Sequence, residues 1–304
     1  MSEMCKELAN LGASPCAFPL KIARRLVFVP LYKNNRTKNG LTLDEVEVLQ
    51  NWHDNFDSYV PLNKYYVLPV MENVTDERGD TEFFTWESGL KARIQQGVRT
   101  FTGLIPNEWP SLLGKLQAWE GQKFGVYIVD KAGAIVFNYG LDTNGVPMAY
   151  PIPVDGNSFD AKLIKATYSD PGSIMVQFDF DADVNDKDLY LIGDLDFDPR
   201  TGDFYSPTDV YGDDDTPNGW DTLNTVYTVK LTLDYGVPAS GFDDPTFWVY
   251  ENDAPPPAGD DAVVTTVTEV KGLYTVTLDK AGEINGYVSF APPKYTRFDG
   301  VKID

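Results

Sequence analysis

Histidine is nearly absent from this 304-residue chain and cysteine almost so: it has one of the first, His53, and two of the second, Cys5 and Cys16. A Ser-His-Asp or Cys-His mechanism would have to run through His53, which ends a short helical segment beside Trp52, Asp54 and Asp57. The open carbonyls of a helix C-terminus account for a histidine there without catalysis. The two cysteines have ten residues between them and no histidine nearby, so they read neither as a zinc site nor as a disulfide framework on which the fold depends. A Walker loop, a dinucleotide fingerprint and a nucleophile elbow are also missing. Carboxylates are too many for a glycosidase pair to be dismissed by counting, yet nothing singles out two of them. The reading is a non-enzyme with no cofactor. The polar start lacks the apolar stretch of a secretory signal, and no run approaches a membrane span. The expectation is a chain made and folded in a cytoplasm.

Positive charge is scarce too. Lys and Arg number 25 against 46 Asp and Glu, a net charge of −21. Residues 1–150 are near neutral, with 15 basic against 17 acidic side chains, whereas residues 151–304 hold 10 against 29. Such a bias argues against a protein that grips nucleic acid by its phosphates.

What is plentiful is aromatic. Seventeen Tyr, 17 Phe and 6 Trp make 13% of the chain, a composition suited to strands, where rings pack on a pleated surface. The expected fold class is mainly β with one or two short helices: a β-barrel or sandwich first domain and a small immunoglobulin-like β-sandwich. Residues 1–40 read as an N-terminal arm with one strand, Arg25 to Tyr32, which Pro30 places at an edge or ends. Residues 41–212 read as the first domain. Thr42 and Glu45 form a capping box, with Leu41 and Val46 spaced as a hydrophobic staple, opening a helix over 42–52. Lys64 to Val70 reads as a strand and Val74 to Asp80 as a charged loop. Strands are expected at 81–86, 90–95 and 98–105, with Gly89 and Gly97 at turns or bulges. Trp109, Leu112, Leu113, Leu116 and Trp119 form one apolar stripe, which predicts a helix over 109–120. Pro110 suits its first turn and Gly121 its end. Phe124 to Val129 and Ala134 to Tyr139, joined by Asp-Lys-Ala-Gly, predict a hairpin.

Further on, Ile174, Val176, Phe178 and Phe180 alternate with Met175, Gln177, Asp179, Asp181 and Asp183, a period of two. The turn-rich acidic run 211–219 reads as the domain boundary. Beyond it, short strands at 227–233, 246–250, 263–270, 273–278 and 284–290 predict the sandwich, over residues 220–304.

Asp179, Asp181 and Asp183 match the first three positions of a calcium loop. The match then fails: Val184 stands where the turn Gly belongs and Tyr190 where the bidentate Glu belongs. Ca²⁺ is therefore the less favoured reading, and an acidic strand face followed by a polar turn the plainer one. Acidic runs recur at 194–198 and 213–215. Lys91, Arg93 and Arg99 are candidates for a subunit contact, against the plainer reading of a solvated strand face.

In residues 60–150 the strand-rich run from Phe83 to Gly103, the single helix at 109–120 and the hairpin at 124–139 resemble, in that order, the tail tube family of tailed bacteriophages. Members of that family often carry a C-terminal immunoglobulin-like domain, which the last 90 residues resemble. The resemblance covers about two thirds of the chain and rests on layout rather than on a diagnostic motif. It implies a virion protein made in the host bacterial cytoplasm. Copies of it would form rings, usually of six, that stack head to tail into an open tube and meet other virion proteins. DNA would pass through without specific binding, and an acidic face such as Asp179, Asp181 and Asp183 would repel its phosphates. The loop 33–40 or 71–82 would bridge successive rings. Two alternatives stand beside it. One is a carbohydrate-binding or adhesin-like surface module, with Trp220, Trp248 and Tyr250 as candidate platforms against the plainer and favoured reading of buried core aromatics. The other is a capsid or neck component of the same kind of particle.

Overall fold

The computed structural model describes residues 22–56, 58, 60–95, 97–106, 110–168, 171–201, 204–205, 210–214, 225–233, 238–252, 262–279, 286–290 and 298–299. Cys5, Cys16, Trp109 and Trp220 lie outside these residues. The chain divides into two compact units, Met1–Ser206 and Pro207–Asp304.

In the first unit the elements run β1 (Ala23–Pro30), β2 (Leu41–Thr42), α1 (Leu43–Val46), α2 (Leu49–Phe56), β3 (Tyr66–Val67), β4 (Glu72–Arg78), β5 (Glu82–Thr85), β6 (Lys91–Gln95) and β7 (Arg99–Pro106). They continue with α3 (Pro110–Gln117), β8 (Phe124–Asp130), β9 (Ile135–Leu141), β10 (Pro147–Tyr150), β11 (Ile152–Pro153), β12 (Asp160–Ile164), β13 (Ser173–Asp179) and β14 (Leu189–Ile192). The larger sheet has the order β2-β10-β9-β8-β1-β3, with β11 added on β8 and β14 on β9. A second sheet has the order β12-β13-β7-β4.

The pattern of side chains explains the layering. Every residue of β8 is buried, as a continuous apolar strand requires when both sheet faces are covered. Phe124, Val126 and Ile128 enter one core with Leu26 and Phe28 of β1, Phe101 and Ile105 of β7, and Ile174, Val176 and Phe178 of β13. Tyr127 and Val129 point the other way, with Val27 and Val29, into a core closed by Trp52 and Phe56 of α2 and by Phe204. The large sheet is thus a middle layer between the smaller sheet and the first two helices. On β13 the expected alternation holds: Ile174, Val176, Phe178 and the following Phe180 are buried, while Gln177 is exposed.

Several expectations are corrected. The strand β1 is not at an edge: β8 pairs with it along its length and β3 pairs at Val27 and Phe28. Pro30 is its last residue, where a missing N–H costs no ladder bond. Residues 72–78 are not a charged loop but β4, paired with β7; its outer face is solvated, which explains its charges. The capping box of Thr42 and Glu45 is present, but the helix it opens ends at Val46 and a second begins at Leu49. One local and one long-range bond make the break. Trp52 Nε1 donates to the Val46 carbonyl at 2.9 Å, and the Leu49 N–H donates to Asp196 Oδ1 at 3.1 Å. The third helix spans 110–117, with Leu116 buried and Leu112, Leu113 and Trp119 packed on the first core. Gly121 follows at φ +70°. The three α-helices among the described residues are all short, and the fold is mainly β, as the sequence predicts.

The second unit holds β15 (Tyr211–Asp214), β16 (Val226–Thr232), β17 (Trp248–Asn252), β18 (Val264–Val270), β19 (Leu273–Leu278), β20 (Gly286–Phe290) and β21 (Phe298–Asp299). One sheet has the order β15-β16-β19-β18 and the other β17-β20-β21. Labelled A to G in chain order, these strands form the A-B-E-D and C-F-G sheets of an immunoglobulin constant-type sandwich. Tyr227, Val229, Leu231, Tyr274, Val276, Trp248 and Val288 share its core. Residues 211–214, expected in the boundary, are instead its first strand. The division falls before them, at Ser206–Pro207.

Candidate interaction surfaces

The hairpin of β5 and β6 stands apart, joined to neither larger sheet. Its register pairs Phe83 with Arg93, Phe84 with Ala92 and Thr85 with Lys91. The turn closes where the Trp86 N–H donates to the Leu90 carbonyl and the Gly89 N–H to the Trp86 carbonyl, both at 2.8 Å. Gly89 takes φ +81° there, a conformation that costs other residues strain. At the hairpin's base Gly97 lies directly against the Gly79 carbonyl, leaving no room for a Cβ. Arg78 holds this base from below. It donates to the Gly97 carbonyl at 2.8 Å and grips Asp186 through both carboxylate oxygens at 2.8 and 2.9 Å. That grip holds the Asp186 carboxyl below its usual range.

What this ribbon displays is unusual. Phe83, Phe84, Trp86 and Leu90 are 55%, 47%, 56% and 70% exposed. Phe84 and Trp86 meet edge to face at 4.8 Å, so the rings cover one another in part but are not buried. A two-stranded ribbon is marginal alone in water, and clustered exposed aromatics mark an interaction surface.

Of the three basic residues expected at a subunit contact, the side chains of Lys91 and Arg99 are described. Lys91 is exposed at the start of β6. The side chain of Arg93 lies outside the described residues. Arg99 is mostly buried: it pairs with Asp76 through two bonds of 2.6 Å, and its guanidinium stacks 4.6 Å from the Phe180 ring. Arg99 is therefore an internal strut between β7 and β4. Of the two segments expected to bridge rings, 71–82 is largely β4, and 33–40 is a turn closed by the Tyr32–Lys38 bridge.

The three aspartates separate as well. Asp179 ends β13, where its Oδ1 accepts from the Thr100 hydroxyl at 2.6 Å. Asp181 and Asp183 lie beyond the strand in an exposed turn, with the Asp183 N–H donating to Asp181 Oδ1 at 3.0 Å. The strand face expected to carry all three carries only Asp179. No group of three His, Cys, Asp or Glu that could hold a metal ion occurs among the described residues. Asp196 and Asp198, in the second acidic run, serve locally: Asp196 caps α2, and Asp198 binds Arg200 at 2.6 Å. Trp248 and Tyr250 are 2% and 7% exposed in the sandwich core, so neither is an open platform. His53 is half-buried against the rings of Phe56 and Tyr205.

Asp181 and Asp183 do reach a pocket of about 290 Å³, shared with Tyr32, Lys38, Asn138, Tyr150, Asn185 and Asp188. Sequence reasoning missed it, because its walls come from five separate segments. Of its lining, only Asp181 and Asp183 stand out in the sequence.

No family model matches the sequence, and no curated protein matches it. Among solved structures, FdeC, an adhesin of Escherichia coli, aligns with 93% of this chain and 98% of its own at 12% identity, with a TM-score of 0.20. A likeness at that score carries no argument about fold or function. No helix among the described residues is long and apolar enough to cross a membrane.

Proposed function

We propose that this protein is a non-enzymatic structural subunit that self-assembles, and specifically a tail tube subunit of a bacteriophage virion, whose stacked rings form a DNA conduit. The observation that carries the proposal is the uncovered hairpin 82–95, with four large apolar side chains in water. A chain of net charge −21 is well protected against non-specific collapse, so aromatics kept exposed on it call for a defined cover. A second copy is the cover that needs no other component. A contact between this hairpin and a different patch of the next copy is heterologous, and such contacts build rings or open stacks. The immunoglobulin-like unit then serves as an appended module, and the acidic balance keeps passing DNA from sticking.

The test is negative-stain electron microscopy and light scattering of the purified chain, beside the double variant Phe84→Ser, Trp86→Ser. Rings or tubes of the parent, reduced to monomers in the variant with an unchanged unfolding midpoint, are expected. A parent that stays monomeric at high concentration ends the self-assembly reading. Closed shells in place of tubes would leave assembly standing and remove the tube.

A further inference from the structure

The first unit also carries a groove between its two larger sheets. Ile22, Ala23 of β1, Val74 of β4, Ile128 of β8 and Val136 of β9 line a space of about 350 Å³. Ala23, Ile128 and Val136 form a buried floor, while Ile22 at the rim is 64% exposed. Two irregular strands border it. The Met71 N–H donates to the Arg24 carbonyl at 2.8 Å and Arg24 pairs with Glu72 at 2.9 Å, which ties β1 to the start of β4. Beside that tie the register shifts on both strands, between Ala23 and Arg25 and between Glu72 and Thr75, with Asn73 at φ +50°. Bulges bend a strand and interrupt its ladder, and the space opens where these two lie. Packed interiors leave few voids larger than a water molecule, so a space of this size walled by aliphatic side chains calls for a filler.

The two sides of the groove differ. The large-sheet side is aliphatic: Ile22, Ala23, Ile128 and Val136. The β4 side adds the exposed Thr75 and Glu77. Asp76 and Arg99, also in the wall, neutralise each other in the pair already described. Glu77 has no ion-pair partner among the described residues. The hairpin 82–95 is two-sided in the same way. Its register and the alternation of side chains put Phe84, Trp86, Leu90 and Ala92 on one face, which carries no charge, and the contact of the Phe84 and Trp86 rings agrees. Thr85 and Lys91 lie on the other face with Phe83. Lys91 is exposed and has no ion-pair partner among the described residues. One chain thus holds an apolar ribbon face backed by an ammonium and an aliphatic groove edged by a carboxylate.

We propose that the hairpin of one copy docks in this groove of a second copy, with Trp86 and Leu90 against the aliphatic side and Lys91 brought to Glu77. The inference rests on the self-assembly reading and names the surface that receives the hairpin. Each copy gives one hairpin and offers one groove, so the contact is heterologous and repeats from copy to copy. The apolar fill carries the affinity, and the charge pair at the rim sets the orientation.

The experiment is sedimentation velocity and light scattering on the full chain, with substitutions at exposed positions. Ile22→Asp sets a charge at the groove and should raise the concentration needed for assembly at least about tenfold, with an unchanged urea midpoint. Mixed with the Phe84→Ser, Trp86→Ser chain, which keeps its groove, it should form dimers that grow no further, because the pair holds one working hairpin and one working groove. Glu77→Lys and Lys91→Glu should each weaken assembly about threefold, and the chain carrying both should return to the parent's behaviour. The proposal is overturned if the parent assembles and Ile22→Asp assembles equally well, if the mixture stays monomeric, or if the double charge reversal does no better than either single one. A parent that stays monomeric removes the assembly reading, and this contact with it.

Discussion

Arg99 shows how far one side chain's role depends on its neighbours. On a solvated strand it would be a spare charge; here it is clamped between the Asp76 carboxylate and the Phe180 ring, with 11% of the side chain exposed. Replacing one partner of a largely buried pair leaves the other charge without compensation. Asp76→Asn should therefore destabilise the first unit by about 2–3 kcal/mol, read as a lower urea midpoint at unchanged slope. Tyr274 gives a second residue-level prediction. Its hydroxyl donates to the Ala239 carbonyl at 2.8 Å, and burial raises its pKa from 10.0 to about 12. A phenol with a raised folded pKa contributes stability in full below the unfolded value and loses it as pH rises toward the folded one. The isolated sandwich should thus weaken between pH 10 and about 12. In Tyr274→Phe that slope should flatten, at a cost near neutrality of about 1 kcal/mol for the lost hydrogen bond. Thermal melts across the alkaline range check both.

At the scale of elements, local pattern was a sound guide wherever one face is wet or one run is apolar throughout. The alternation at 174–180, the hairpin at 124–139 and the apolar stripe of α3 were all legible, because side-chain period follows backbone geometry. The errors fall where distant chain intervenes. The charges of 72–78 suggested a loop, but a strand with a solvated face tolerates charge. The local signals from Thr42 are continuous and predict one helix, whereas Asp196, far away in sequence, caps a second helix at Leu49. Asp196→Ala should cost about 1 kcal/mol and raise hydrogen exchange at the first amides of α2, leaving α1 with its own box unchanged.

At the scale of the whole molecule, the chain is two units whose cores share no residue. The second has the strand order of a complete seven-stranded sandwich. Residues 207–304 expressed alone should fold cooperatively, and a start at 220, which removes β15, should leave one sheet with an open edge and lower the melting temperature. Calorimetry of the two fragments separates these outcomes. Of the candidate sites, only scattered members were legible. Phe83, Phe84 and Trp86 read as strand residues, but nothing local says that their strand lacks a covering layer. Asp181 and Asp183 stand out by their spacing, but only the fold sets them beside Tyr150 and Lys38.

By itself the sequence determined the β-rich class, the positions of α3 and of the hairpin at 124–139, the immunoglobulin-like unit and the acidic balance. These follow from side-chain period, turn chemistry and charge, which act over a few residues or over the whole chain at once. Tertiary structure alone decided that β1 is interior, that Arg99 is a strut, that Trp248 is buried, that the hairpin 82–95 is bare and that five segments enclose a pocket. Those facts depend on which distant surfaces meet, and burial and ion pairing have no value until that meeting is made.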